Sequence, residues 1–340
     1  MLCEVGVTQE GEFRRTICSW RLRSRTLELG LRTLVMGVVN ITPDSFSDGG
    51  AFLAPEAAVA HALRLLDEGA DLLDLGAEST RPDSLAGLGA GGRVGGDNDG
   101  AAEAQPAFAI DPIGVGSITA DEEQARLLPV LEGLLKARPE AVVSVDTYRA
   151  ATARAAIAAG AEIVNDVSGF CWDPAMAGVC AHAGCGVVLM HTRGRPDEWK
   201  AQTQLEPDDL LKLVRTGLQA SFDRALSAGV GAESIVLDPG YGFGKRGEEN
   251  FALLARQAEL LTLGRPLLAG VSRKSFLGRT LASLHGGNPA PVNERETASV
   301  AAMVAAILHG ASLVRVHTVR AAVEAANVAD AIEEQRARQT

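Results

Sequence analysis

Eight short apolar runs, each followed by a stretch with helical signals, constrain this chain more than any other feature. They are Thr33–Asn40, Asp71–Gly76, Ala141–Asp146, Glu162–Asp166, Gly186–Met190, Ser234–Asp238, Pro266–Val271 and Ser312–Val316. Several are continuous Val/Ile/Leu, the composition of strands buried on both faces of a parallel sheet. The intervening segments carry helix punctuation. Pro55–Gly69 has Pro near its start and Gly at its end, and Asp121–Ala137 opens on acids and closes on Lys136 and Arg138. Eight such alternations predict an α/β chain folded as a single (β/α)8 TIM barrel over residues 34–340, ahead of an open doubly wound sheet. Residues 1–33 form an N-terminal extension, expected to cap the bottom face of the barrel.

One segment breaks the alternation. Leu85–Gly116 is rich in Gly, Ala and small polar residues and has no period. It falls between the second strand and its helix, where a connection of about 2–6 residues is usual. A flexible insertion fits it, as a passive expansion rather than a functional extension. No apolar run approaches the roughly 18–20 residues of a membrane span, and no signal peptide is visible. Five cysteines, an odd number without framework spacing, indicate reduced thiols and a cytoplasmic protein. A net charge of −11 argues against a nucleic-acid surface or a membrane patch, so any anionic substrate needs locally gathered cations.

In such a barrel the chemistry sits where strands end. Here nearly every strand end is polar: Asn40 with Thr42–Gly50, Glu78–Pro82, Asp146-Thr147, Asn165-Asp166, Met190-His191, Asp238–Lys245, Ser272–Ser275 and Arg315–His317. A single Asp after a strand is commonly a helix cap; the whole set is not explained that way. Arg81, Arg315 and His317, with Asn40, can surround a polyanion. Asp146, Asn165, Asp238 and Lys274 suit a flat, nitrogen-rich heterocycle presenting adjacent donors and acceptors. These residues describe an enzyme for a phosphorylated heterocycle. Gly240–Lys245 lacks the spacing of a phosphate-binding P-loop.

Met36–Gly50 (MGVVNITPDSFSDGG) resembles the first signature of the dihydropteroate synthase family, and Asp74–Pro82 (DLGAESTRP) the second. Ser144–Thr147, Asn165-Asp166, Leu237–Lys245, Ser272–Ser275 and Arg315–His317 follow in the family's order, so the resemblance spans about Leu34 to Asp330. It implies an enzyme that condenses (7,8-dihydropterin-6-yl)methyl diphosphate with 4-aminobenzoate. By similarity the pterin site is Asp146, Asn165, Asp238 and Lys274, lined by Met190 and Phe243. The pyrophosphate site is Asn40, Arg81, Arg315 and His317, with Mg2+ near Asn40. The aminobenzoate site is Phe46, Thr80, Pro82, Lys274 and Ser275.

Departing pyrophosphate leaves a ring-delocalised methylene cation, which Asp146, Asp238 and Asp48 can stabilise. A neutral aniline then attacks, so the implied substitution is SN1-like and needs no strong base. The family also implies a homodimer built on helices late in the barrel, where the small-residue stretch Ala298–Leu308 lies. Two features depart from the family pattern: Gly76-Ala77-Glu78 where Gly-Gly-Glu is frequent, and the insertion after Arg81-Pro82. Rival readings are a catalytically silent pterin-binding paralogue, a methyltetrahydrofolate–corrinoid methyltransferase-like barrel and an unrelated phosphate-binding isomerase. His61, His182, His285 and His309 are expected to be structural, and Cys180–Cys185 has the wrong spacing for zinc. His191 suits a pocket or a supporting role equally, and Lys245 is expected to be a solvated charge at the rim.

Overall fold

The computed structural model describes residues 6–7, 13–15, 17–41, 54–78 and 118–338. Ahead of the barrel lie two antiparallel pairs, β1 (Gly6–Val7) with β2 (Phe13–Arg14), and β3 (Cys18–Arg21) with β4 (Thr26–Leu29). The chain then alternates as expected: β5 (Leu34–Asn40), α1 (Ala54–Asp67), β6 (Leu72–Gly76), α2 (Ala120–Ala137), β7 (Val143–Asp146), α3 (Ala150–Ala158) and β8 (Ile163–Asp166). There follow α4 (Met176–Ala183), β9 (Gly186–Met190), α5 (Pro207–Ser227), β10 (Ile235–Asp238), α6 (Glu249–Ala255) and β11 (Leu267–Ala269). The last elements are α7 (Ser275–Thr280), α8 (Glu296–Leu308), β12 (Ala311–Val316) and α9 (Val319–Arg338). Strands β5 to β12 pair in parallel in chain order, and β12 closes on β5.

All eight expected strands are present, with ends displaced by at most two residues. The exception in character is β11, which is shorter than Pro266–Val271 and whose register against β12 slips between Leu267 and Leu268 before the pairing resumes to Ala269.

Side chains alternate across each strand, so one set faces the helices and the other the barrel axis. Val35, Leu73, Val143, Val164, Val187, Ile235, Leu267 and Val314 pack outward with the helices in one apolar shell. Met36, Leu72, Val142, Ile163, Val188, Val236, Leu268 and Leu313 face inward in a separate cluster. Trp20, Leu22 and Leu29 of the β3–β4 hairpin belong to that inner cluster. Trp20 is fully buried and its indole N–H donates to Ser234 O (2.9 Å), so the hairpin plugs the N-terminal end of the barrel. Among the described residues, no helix is long and apolar enough to cross a membrane.

Candidate active site

Stepping by two along the inward face leads from the apolar plug to the polar mouth. Leu72 is followed by Asp74, Val142 by Ser144 and Asp146, Ile163 by Asn165, Val188 by Met190, Val236 by Asp238, and Leu313 by Arg315 and His317. Register places Asn40, Gly76, Asp146 and Asn165 abreast across four neighbouring strands. The structure therefore brings Asn40, Asp146, Asn165, Met190, Asp238, Arg315 and His317 to one end of the barrel. Lys274 and Ser275 follow β11 at the start of α7. Phe46, Asp48, Thr80, Arg81 and Pro82 lie outside the described residues, as does the stretch 85–116.

Arg315 joins the two sets of residues that the sequence separates by chemistry. Its Nε donates to Asp74 Oδ2 (2.6 Å) and its Nη2 to Asp146 Oδ2 (2.8 Å). Asn165 Nδ2 donates to the same Asp74 oxygen (3.0 Å). One guanidinium is thus shared by two carboxylates, with a side-chain exposure of 21% toward the mouth. Burial works against the Arg315 charge, but Asp74 and Asp146 outweigh it and raise its pKa. Burial pushes Asp146 up to about 7, with Arg315 opposing and the Asp74 charge adding to the rise. Burial also raises Asp238, although its Oδ1 accepts the Gly240 N–H (2.7 Å) and Lys274 and Lys245 favour the charge. Carboxyls poised in this way suit ring N–H donors and a developing cation.

The apolar wall suits a flat ring. Tyr148, Val167, Trp172 and Met190 form a cluster against which Phe243 packs. Lys274 Nζ sits 4.0 Å from the Phe243 ring centroid, a cation–π contact that fixes both groups. Lys274 follows Arg273, whose φ of +57° is unusual for a residue with a side chain. The strain is held by Ser299 Oγ, which accepts from Arg273 N (2.8 Å), and by Arg273 donating to Thr318 Oγ1 (3.0 Å). His317 is oriented by Ser272: the hydroxyl accepts from His317 N (3.3 Å) and lies 3.0 Å from Nδ1. Both contacts fix the orientation of the imidazole at the mouth.

Two expectations need correction or decision. Lys245 is not a solvated rim charge; it is 4% exposed. Its ammonium donates to the carbonyls of Gly240 (2.8 Å), His191 (3.1 Å) and Phe243 (3.3 Å), tying the loop after β9 to the loop after β10. Burial lowers it to about 7 against the favourable charge of Asp238. Gly240 is required beside it: φ is +69°, and a Cβ there would lie 1.9 Å from His191 O. His191 does not face the mouth. Its ring lies against Gly217 of α5, buried, and desolvation holds it well below the usual imidazole range. Ala77, where the family often has Gly, adopts no positive φ, so its methyl carries no backbone penalty.

The sequence gives no role to Asp74 or Ser272 and does not show the burial of Lys245. For Asp74 a signal was available, since a carboxylate inside an otherwise apolar strand (Leu72-Leu73-Asp74-Leu75) demands a buried partner.

With two amides, shared carboxylates, Arg315, Lys274 and an aromatic wall at one mouth, the barrel has the chemistry of an enzyme that takes a flat nitrogen-rich ring carrying an anionic group. The model of the pterin binding enzyme family matches residues 36–88 and 112–317, leaving unmatched a stretch inside the Gly-rich segment. A dihydropteroate synthase of Mycobacterium leprae is 43% identical over 87% of this chain and 92% of its own length. The structure of Xanthomonas albilineans dihydropteroate synthase with 4-aminobenzoic acid is 38% identical, covers 94% of this chain and 99% of its own, and superposes with a TM-score of 0.74. That enzyme's complex with 7,8-dihydropteroate gives 35% identity, coverage of 93% and 98%, and a TM-score of 0.71. The chain belongs to the dihydropteroate synthase family of pterin binding enzymes.

Proposed function

We propose that this chain joins (7,8-dihydropterin-6-yl)methyl diphosphate to 4-aminobenzoate, giving 7,8-dihydropteroate and pyrophosphate. The observation that carries this reading is the Arg315 bridge. One guanidinium bonds Asp146, the carboxylate this reading gives to the ring, and Asp74, and keeps a partly exposed side for the diphosphate. Asp146, Asn165, Asp238 and Lys274 hold the pterin edge, with Met190 and Phe243 against its face. Asn40, Arg315 and His317, joined by Arg81, receive the diphosphate. Phe46, Thr80, Pro82 and Ser275, with Lys274, take the aminobenzoate.

The methylene C–O bond breaks first, and pyrophosphate departs with the electron pair. The charge it accumulates is offset where it develops by Arg315 and His317. The remaining cation delocalises into the pterin, beside Asp146 and Asp238, with Asp48 contributed from the segment after β5. The aniline nitrogen bonds to the methylene carbon and releases a proton to solvent. Among the described residues no group of three or more His, Cys, Asp or Glu side chains could cage a metal. A single neutral oxygen on Asn40 fits Mg2+, which keeps waters and phosphate oxygens around it. When bound, Mg2+ supplies further charge neutralisation to the diphosphate. Homodimerisation through helices late in the barrel, with α8 among them, and a cytoplasmic setting that suits the thiols Cys171, Cys180 and Cys185 complete the reading.

The test incubates the pterin diphosphate, 4-aminobenzoate and Mg2+ with the full chain, Arg315→Ala and Asp146→Asn. Pyrophosphate and dihydropteroate should form one to one with the parent, and each variant should lose at least about a hundredfold in kcat. Pterin binding without product from the parent would overturn the reading in favour of a silent paralogue.

A further inference from the structure

Residues 239–248, between β10 and α6, carry Phe243 and form neither strand nor helix. Their backbone groups therefore need partners from elsewhere. Asp238 and Lys245 supply those described above, and Asn250, in the first turn of α6, supplies a further set. Its Oδ1 accepts the Gly242 N–H (2.7 Å), and its Nδ2 donates to the carbonyls of Lys245 (3.1 Å) and Gly247 (3.2 Å). The residue is fully buried. An N–H on one side and two carbonyls on the other admit a single orientation of the amide, and no other side chain of its size offers one acceptor together with two donors. The neighbouring Glu249, also buried, ties the loop after β9 to the same helix turn. Its Oε1 accepts from Leu205 N (2.7 Å) and lies 3.4 Å from Arg193 Nη1, and its Oε2 accepts from Arg246 N.

The groups that Asn250 holds flank Phe243 on either side. Gly242 has a φ of +83°, and a Cβ there would stand 3.4 Å from Lys274 Cδ, so the backbone just before Phe243 runs against the Lys274 stem. Trp199 meets Phe243 edge to face, with centroids 5.2 Å apart and 89° between the planes, and the Lys274 ammonium lies over the same ring. Lys245 grips this loop through the carbonyls of Gly240 and Phe243, whereas Asn250 grips it from the α6 side, at Gly242 and again at the Lys245 backbone. Losing the amide leaves one N–H and two carbonyls without their partner. Opening to water around Phe243 is how the loop regains them.

We propose that Asn250 is a positioning residue for the pterin substrate: its buried amide holds the loop after β10 on both sides of Phe243 and so fixes the aromatic face on which the ring lies. The proposal rests on the reading above, in which Phe243 and Lys274 meet the pterin.

The experiment compares the parent chain with Asn250→Leu, Asn250→Asp and Leu253→Ala, the last a core residue of the same helix. It measures the Kd of 6-hydroxymethyl-7,8-dihydropterin (a ring without diphosphate), the KM for 4-aminobenzoate, Tm, and amide exchange at residues 242–247. Asn250→Leu, close in size but without polar side-chain atoms, should raise the ring Kd at least about tenfold and accelerate exchange at Gly242, while the aminobenzoate KM moves less than about threefold. Asn250→Asp keeps an oxygen for the Gly242 N–H but not both donors, and its ring Kd should fall between. Leu253→Ala should lower Tm at least as much as Asn250→Leu and leave the ring Kd within about twofold of the parent. A ring Kd unchanged in Asn250→Leu, matched by an equal rise in the aminobenzoate KM, or raised as much by Leu253→Ala overturns the proposal. Should Asn250→Leu fail to fold, the ring Kd of Asn250→Asp decides: a rise supports the proposal and an unchanged value overturns it. Should the parent neither bind the ring nor make dihydropteroate, the functional reading fails, while exchange at Gly242 still judges the hold of Asn250 on the loop.

Discussion

At the N-terminal end of the barrel, Met36, Leu72, Ile163, Val236 and Leu313 point at the axis and meet Trp20, Leu22 and Leu29 of the hairpin. Two residues further along the same strands, the axis is lined by Asp74, Asn165, Asp238 and Arg315. Backbone geometry and inward alternation are shared by the two ends; what differs is how each interior is satisfied. The apolar end is closed by packing alone and gains stability from area removed from water. The polar end is closed by charge: Arg315 between Asp74 and Asp146, Lys245 among three carbonyls, Asp238 on Gly240 N–H. Asp74 Oδ1 and Ser144 Oγ, side by side in register, are buried without a hydrogen-bond partner, and Asp146 is held near its titration point. An interior left partly unsatisfied costs stability and is what allows a substrate to complete it.

Substitutions at the polar end should therefore alter chemistry and binding more than their contribution to folding suggests. Lys245→Met tests this at a residue that ties two loops together and combines a loss of stability with an effect on binding. Three carbonyls lose their donor at a cost of roughly 2–3 kcal/mol, and Phe243 loses the loop that aims it. Thermal unfolding should record the first, and a KM for the pterin substrate raised about tenfold the second; an unchanged KM would make Lys245 purely structural.

Asp146→Asn sharpens the comparison through pH. The folded pKa of about 7 exceeds the ordinary 3.8, so the folded state holds a proton that the unfolded state releases. Stability from this group is greatest below about pH 4 and falls as pH rises toward 7. The Asn variant should thus match the parent near pH 4 and exceed it in Tm by several degrees at pH 8. A Tm difference that does not change with pH would contradict the raised carboxyl. The smallest effect is expected from deleting Leu88–Ile110. Kcat should stay within a few-fold, because most of that stretch lies in the part the family model leaves unmatched; a hundredfold loss would assign that stretch a direct role.

Much of this was legible in the chain. The eight strands are continuous apolar runs, and strand-end polarity pointed to Asn40, Asp146, Asn165, Asp238 and Arg315 because period two carries a buried face outward to its mouth. The placements of Lys245 and of Arg149, a buried guanidinium that bonds Glu78 and the Ile118 carbonyl, were not legible. Each bonds to groups from loops that follow different strands, including backbone carbonyls, and a carbonyl leaves no mark on side-chain sequence. The link between Arg315 and Asp74 was hidden for a related reason. The two residues are 241 positions apart and become neighbours only when β12 closes on β5.

Leu313 and Arg315 stand two residues apart on β12, one at each end of the contrast, so kcat and Tm measured together for Leu313→Ala and Arg315→Ala test it most directly. Leu313→Ala should lose about 2–5 kcal/mol of stability with kcat within threefold of the parent. Arg315→Ala should lower kcat by on the order of a thousandfold while remaining folded at the assay temperature. Equal losses of kcat in the two variants, or turnover retained in Arg315→Ala, would contradict the account.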